Sequence, residues 1–408
     1  VRFHEYSPDR IEPVCQHFGI CGGCKWQHLP YHLQLHHKEK QVKENLSRIG
    51  KVDIASVNPI IGSSEVFRYR NKLEFTFSDK RWLTREEMNS DREPLREDAL
   101  GFHIPGQFDK VLDIKECLLQ AEPSNAIRNA VRRFAHKNAF PFFNLREQAG
   151  FLRNLVVRTT SAGEVMVIVV FFLDERQRIE KLMSYLAGEF PQITSLFYIV
   201  NTKKNDSLAD QNPVHYSGSE FLTEEMDGLK FRIGPKSFFQ TNTGQSQRLY
   251  RIAGEFAQLT GKETVYDLYT GTGTIANFLA PSADKVVGIE YIDEAIRDAA
   301  VNSQINGIGN TDFFAGDIRA VMNPGFFEVH GKPDVIVTDP PRSGMHEDVV
   351  RTMIEASPSR IVYISCNPAT QARDVAILSE RYRVDAVQPV DMFPQTHHVE
   401  NVVLLSRL

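Results

Sequence analysis

Sulfur is scarce in this chain: five cysteines serve 408 residues. The count is odd, and the opening VRFHEYSPDR has no apolar run that could act as a secretory signal. A disulfide framework is therefore not expected, and a reducing compartment, the cytoplasm, is. Long apolar runs are missing as well. No stretch of about 18 residues stays apolar, so no membrane span is expected. An initiating methionine is also absent, as in a chain that begins partway through a longer one, and no repeat or low-complexity tract appears. Excess basic charge is lacking too, the net charge being −5. Taken alone, that value argues against a nucleic-acid partner.

The total conceals an asymmetry. Residues 261–408 hold 12 Lys and Arg against 20 Asp and Glu, whereas residues 1–260 hold 35 against 32. Within 125–158, Arg128, Arg132, Arg133, Lys137, Arg146, Arg153 and Arg158 face Glu147 alone. In FRYRNKLEF, Arg68, Arg70 and Lys72 alternate with aromatic residues. Such clusters suit phosphate contact and base stacking, and equally a solvated face of an ordinary domain.

At 42% hydrophobic, the chain is long enough for several cored domains, and three segments are expected. Residues 1–65 carry three of the cysteines and an amphipathic helix in YHLQLHHKEKQVKENLSRIG, with Leu33, Val42, Leu46 and Ile49 as its apolar positions. The histidines there (His28, His32, His36 and His37) read as a polar helix face. Residues 66–245 contain strand-like runs such as NKLEFTF, LVVRTT, VMVIVVFFL, SLFYIVN and LKFRIG, which point to an α+β domain. The charged stretch DKRWLTREEMNSDREPLRED reads as a loop inserted into it. Residues 246–408 alternate apolar strands with helices, the pattern of a doubly wound α/β sheet with a ligand at the strands' carboxyl ends. The last two strands, joined by DMFPQTHH, could form an antiparallel edge hairpin.

Within that last segment, VYDLYTGTGTIANFLA is a strand, a glycine turn and a helix, where Gly271 and Gly273 let backbone approach a ligand. No third glycine stands at the dinucleotide position, which weakens a nicotinamide reading. Glu290 ends the next strand, where it can accept from ribose hydroxyls, and Asp317 ends the third, where it could face an adenine. Together these fit S-adenosylmethionine, which has no pyrophosphate.

The turn TDPPRSG follows the fourth strand, its two prolines fixing an extended path. Arg342 stands where enzymes that methylate exocyclic amines carry an aromatic residue, which points to different chemistry. Cys366 ends the fifth strand, with Asn367 and Pro368 as cap and first-turn proline of the following helix. A thiol there is expected to be stabilised as thiolate and to act as a nucleophile. Glu400, opening the apolar last strand, is the candidate general base, with His397 and His398 as competitors.

These motifs, with CQHFGICGGCKWQH, GFHIPGQFDKVLDIKEC, GPKSFFQTN and HHVENVVLL, resemble the RNA uracil-C5 methyltransferase family along nearly the whole chain. The resemblance implies 5-methyluridine formation in RNA by an S-adenosylmethionine-dependent methyltransferase fold. It also implies cofactor or substrate-pocket roles for Gln240, Tyr269, Glu290, Asp317 and Asp339. Thr274 occupies a contact position where many relatives carry Asn. The family commonly begins with a small RNA-binding β-barrel, which is not seen ahead of the cysteines here.

Cys15, Cys21 and Cys24 then need a fourth partner, and Cys117 is the remaining cysteine. Four thiolates suit zinc or a 4Fe-4S cluster. The three-plus-one spacing and the resemblance favour the iron-sulfur cluster, and with it the branch acting on 23S rRNA. Transfer RNA is the alternative substrate, and a monomer is expected. A non-catalytic RNA-binding iron-sulfur protein would not need Cys366 and Glu400 together. A DNA cytosine-C5 methyltransferase would place its cysteine in a Pro-Cys turn after the fourth strand.

Overall fold

The computed structural model describes residues 5–52, 57–89, 98–205, 207–208 and 210–408. They form two compact units: Val1–Leu29, Phe67–Glu224 and Ile233–Lys236 in the first, and Pro30–Val66, Glu225–Arg232 and Ser237–Leu408 in the second. This division cuts across the expected 1–65 segment. Helix α1 (Tyr31–Arg48) belongs to the second unit, because Val42 and Leu46 are fully buried in a core with Tyr363, Ala372, Val375 and Leu378. Each such side chain contributes about 1.5–3 kcal/mol. The buried stripe is Gln34, Lys38, Val42 and Leu46, one residue per i,i+4 step. Leu33 is only partly covered and Ile49 is exposed, so the apolar positions alone misplace the face. His32, His36 and His37 lie on the exposed side.

The first unit is α+β. Its strands are β1 (Lys72–Ser78), β2 (Ala99–Ile104), β3 (Gln107–Asp113), β4 (Leu152–Thr159), β5 (Val165–Phe171), β6 (Ser195–Val200) and β7 (Val214–Gly218), in the sheet order β3-β2-β1-β4-β5-β6-β7. Pairing is antiparallel except for β5 with β6. That parallel pair needs a crossover, which is the helix over Arg176–Glu189. Helix α2 (Arg85–Met88) lies in the charged 79–98 segment, of which 90–97 fall outside the described residues. Ile127 and Val131 of α3 (Ser124–Lys137) and Leu182, Met183 and Leu186 of α4 (Arg176–Glu189) share a core with Phe75, Leu155, Val167 and Val169.

That core corrects part of the charge reading. Arg128, Arg153 and Arg158, counted as a phosphate-binding surface, are buried. Arg153 donates to the carbonyls of Asn201, Lys203 and Asn205 at 2.8, 2.6 and 2.7 Å and lies 4.7 Å over the Phe143 ring. A guanidinium keeps its charge indoors when carbonyls and an aromatic face replace water. Its role there is to gather the loop after β6.

Strands β8 (Leu222–Met226) and β9 (Leu229–Ile233) pair with each other. The second unit then runs α5 (Thr243–Ala257), β10 (Thr264–Leu268), α6 (Thr274–Leu279), β11 (Lys285–Glu290), α7 (Asp293–Ile305), β12 (Thr311–Ala315), α8 (Ile318–Val321), α9 (Pro324–His330), β13 (Val335–Thr338), α10 (Glu347–Ala356), β14 (Arg360–Ser365), α11 (Pro368–Leu378), β15 (Tyr382–Val390) and β16 (Glu400–Arg407). The sheet order is β12-β11-β10-β13-β14-β16-β15. Its first five strands are parallel, and β16 is antiparallel to both neighbours, which makes the expected closing hairpin. From β10 the chain moves outward first on one side and then, through β13, on the other. A ligand crevice is expected where the order reverses, at the carboxyl ends.

Candidate active site

The parallel strands end along one edge, so Tyr269, Glu290, Asp317, Asp339 and Cys366 all fall at or just beyond it. After β10 the backbone turns through left-handed conformations at Tyr269 (φ +62°), Gly271 (+55°) and Gly273 (+74°). A Cβ on Gly273 would lie 2.8 Å from that of Ala299, so only glycine lets α7 approach. At Gly271 the space is open, and its amide donates to Glu290 Oε2 at 3.3 Å. The other Glu290 oxygen accepts from the Ile292 amide at 3.1 Å. Thr274 is buried at the start of α6, its hydroxyl 3.4 Å from that of Thr272. Gln240 is half-buried ahead of α5.

Asp317 caps α8 through the Arg319 amide at 2.9 Å and pairs with the Arg319 guanidinium at 2.9 Å, which holds its carboxyl below the usual range. The carboxylate expected to face an adenine is thus already engaged. Asp339 follows β13 and leads into the double-proline turn. Asp374 of α11 ties that turn down, accepting from the Met345 amide at 2.9 Å and from the Tyr363 hydroxyl of β14 at 2.6 Å. Asn367 and Thr370 donate to the Arg342 carbonyl at 3.2 and 3.3 Å.

Cys366 and Glu400 meet through strand register. The β14–β16 ladder pairs Arg360 with Ser406 and ends at Ser365 with Asn401, so the next step sets Cys366 opposite Glu400. Gln371 locks this end: its Nε2 donates to the carbonyls of Tyr363 and Asn401 at 2.9 and 3.1 Å, and its Oε1 accepts from Asn401 Nδ2 at 2.7 Å. Asn367 caps α11 as expected, accepting from the Ala369 amide at 3.1 Å.

The electrostatics differ from the expectation for Cys366. Burial, then the charges of Glu400 and Asp339, push its thiol up to about 11, with Arg342 opposing. The helix N-terminus does not outweigh two carboxylates. Burial raises Glu400 well above the carboxylate range, with the charge of Asp339 adding to it, and burial raises Asp339 too. Asp267, fully buried in β10, is pushed by burial to about 7 despite a 2.5 Å bond from the Thr270 hydroxyl, and its Oδ1 has no hydrogen-bond partner.

A family model described as tRNA (uracil-5-)-methyltransferase matches residues 159–408. The chain belongs to that family. Uncharacterized RNA methyltransferases of Bacteroides thetaiotaomicron and Porphyromonas gingivalis are 57% and 58% identical to it, covering 100% and 98% of this chain and 90% and 88% of their own lengths. Among solved structures, Pyrococcus abyssi tRNA (uracil-54, C5)-methyltransferase in complex with S-adenosyl-L-homocysteine matches with a TM-score of 0.74 and 30% identity. The match covers 95% of this chain and 86% of that one. The second unit accordingly has the S-adenosylmethionine-dependent methyltransferase fold.

The remaining cysteines lie in the first unit. Cys21 and Cys117 pack with Ile20, Trp82 and Phe102 against Ile104, Leu112 and Ile114. The His17 Nε2 accepts from the Lys115 amide at 3.0 Å, which holds the two cysteine-bearing segments together. Burial pushes Cys24 up to about 11, with the charges of Cys21 and Cys15 adding, and Cys117 up to about 12, with those of Cys24, Cys21 and Cys15 adding. Four thiols thus face one another electrostatically. Among the described residues, however, no group of three or more His, Cys, Asp or Glu is arranged to hold a metal ion. No helix among them is long and apolar enough to cross a membrane.

Sequence reasoning passed over Asp267, Asp374 and Gln371. The signal for each was a charged or amide side chain inside an otherwise apolar strand or helix face, which needs a partner or a ligand.

Proposed function

We propose that this enzyme methylates C5 of uracil in RNA, with 23S rRNA as substrate, through a covalent adduct between Cys366 and uracil C6. The observation that carries the reading is the β14–β16 register, which sets a nucleophile opposite a carboxylate at the mouth of a methyltransferase sheet. S-adenosylmethionine supplies an electrophilic methyl group on a positively charged sulfur. The residues suit such a ligand: the glycine turn is open at Gly271, Glu290 lies beside its amide, and a buried Asp267 oxygen lacks a partner. Gln240, Tyr269, Gly273, Thr274, Asp317 and Asp339 complete the proposed cofactor and substrate pocket.

Uracil C5 is a poor nucleophile until C6 carries an added group. Cys366 gives up its thiol proton to solvent, the thiolate adds to C6, and the C5–C6 π electron pair moves to C5, which takes the methyl group from the sulfonium. Glu400 then removes the C5 proton, the C6–S bond breaks, and Cys366 leaves as thiolate. Burial holds Glu400 toward its neutral form, so a cationic ligand nearby is what draws it into the charged form that can accept a proton. The target base must leave its stack to reach both groups.

Cys15, Cys21, Cys24 and Cys117 are the proposed ligands of a 4Fe-4S cluster. Four thiols on two segments held together by His17 are a donor set of the right kind. A brown protein with thiolate-to-iron absorbance tests this, and a colourless zinc-loaded protein prepared without air overturns it. The cluster-bearing branch is the reason for preferring 23S rRNA; a cytoplasmic setting and a monomer are part of the same proposal. A second reading, transfer RNA, is favoured by the substrate named for the Pyrococcus structure.

The deciding experiment supplies methyl-labelled cofactor with 23S rRNA and with tRNA, and maps 5-methyluridine in each. Label in rRNA alone supports the first reading, and label in tRNA alone replaces it. The Glu400→Gln variant should accumulate a covalent RNA adduct, visible as a shifted band on a denaturing gel. Absence of that band removes Glu400 from the role of base.

A further inference from the structure

Residues 391–399 join β15 to β16 and deliver Glu400, and two helices hold this connection from beneath. From α1, Lys38 Nζ lies 2.5 Å from Asp391 Oδ1, both side chains fully buried, and donates to the Phe393 carbonyl at 3.0 Å. Tyr31 donates its hydroxyl proton to Asp391 Oδ2 at 2.8 Å while accepting from the Ser63 amide at 2.7 Å. Gln34 donates to Gln395 Oε1 at 3.0 Å and accepts from the Gln395 amide at 2.9 Å. From α5, Asn242 and Gln245 donate to the carbonyls of Met392 and Asp391 at 3.0 and 2.8 Å. Gln395 itself stands at φ +68°, a conformation that a non-glycine residue keeps only where its surroundings dictate it. The last step is short: Val390 pairs with Glu400 across the hairpin.

A buried ion pair is a poor way to gain stability, because desolvation offsets most of its attraction. What it adds is geometry, since neither charge tolerates displacement from the other. We infer that Lys38 and Asp391 are a positioning pair, fixing the 391–399 connection so that the Glu400 carboxylate is held at the C5 proton of the bound uracil. Neither residue touches substrate, and the inference rests on the proposed role of Glu400.

The test compares Glu400→Gln with the double variant Lys38→Met/Asp391→Asn, which removes the pair without leaving one charge buried alone. In the double variant the thermal melt should stay cooperative and cofactor affinity should hold. Its kcat should fall by about 10- to 100-fold, as for a small misplacement of a catalytic group, with KM little changed. The decisive readout is the covalent RNA adduct, which should accumulate on a denaturing gel as it does in Glu400→Gln. A folded double variant that slows without adduct, beside a Glu400→Gln that does accumulate it, overturns the positioning role alone. No adduct in either overturns the role of Glu400 and the positioning role with it. If the double variant fails to fold, Tyr31→Phe removes one bond to Asp391 and should give the same adduct at lower yield. Wild-type turnover without adduct in folded Tyr31→Phe then overturns the inference.

Discussion

Among the described residues both units bury charges of both signs, Asp109 and Glu224 in the first and Lys38 in the second, but buried arginines outnumber carboxylates in one and carboxylates outnumber cations in the other. In the first, Arg128, Arg153 and Arg158 are interior; in the second, Asp267, Asp374 and Glu400 are. Arg153 finds three carbonyls and an aromatic face, so its charge is matched within the protein. Asp374 is matched as well, by a tyrosine, an amide and Arg373. Asp267 is not, and it lies beside the glycine turn. Arg128 of the first unit is better met: its Nη2 reaches the Lys115 carbonyl at 2.6 Å, its guanidinium lies 5.4 Å over the Phe75 ring, and the charges of Asp113 and then Cys117 oppose the burial that lowers its pKa to about 10. Matched buried charges hold loops in place. The incompletely bonded carboxyl, Asp267, lies beside the glycine turn proposed to meet a cationic ligand.

The largest expected effect tests the second unit's chemistry directly. Cys366→Ala should reduce methyl transfer to RNA by at least about 10³-fold and leave cofactor affinity by calorimetry as it was. Normal turnover would remove the covalent scheme. Next comes the matched charge of the first unit. Arg153→Met strips the donor from three carbonyls, and chemical unfolding should show a loss of about 3–5 kcal/mol. A change under about 1 kcal/mol would mean that those carbonyls reach water.

Asp267 gives the pH test. Its folded pKa of about 7 exceeds the unfolded value, so the folded state binds the extra proton between about pH 4 and 7. Stability without cofactor should therefore fall as pH rises through that window and level off above it. The share of Asp267 in that decline should be at most about 4 kcal/mol, and the raised Asp339 and Glu400 add declines of the same sign. Asp267→Asn should lessen the slope, be the more stable protein at pH 8, and bind S-adenosylmethionine more weakly. An unchanged slope would show that Asp267 does not titrate there. Smallest is a helix cap: Asn323 accepts from the Phe326 amide at 3.0 Å, and Asn323→Ala should cost about 1 kcal/mol without altering kcat.

Much of this site was legible in the chain. Glycines at 271 and 273 are demanded by positive φ, and the acid after β11 and the cysteine after β14 follow from counting strands in a doubly wound pattern. The closing hairpin, read only as a possibility, is what brings Glu400 to Cys366. Helix α1 was harder: its apolar residues suggested one face, whereas the buried stripe includes Gln34 and Lys38. Polar residues count toward a buried face only once their partners are known, and here the partners are some 350 residues away. Arg128, Arg153 and Arg158 were misread for the same reason, since composition cannot separate a solvated guanidinium from a buried one.

Local sequence determined the elements, the glycine turn, the caps and the order of strands, because φ/ψ preferences and hydrophobic period act over a few residues. Tertiary structure decided which charges would be buried and what they would face. It made Cys366 a thiol with a raised pKa, placed Glu400 opposite it, left one oxygen of Asp267 unmatched, and tied the Glu400 connection to α1. Desolvation and ion pairing depend on neighbours brought together only by folding, so no window along the chain contains them.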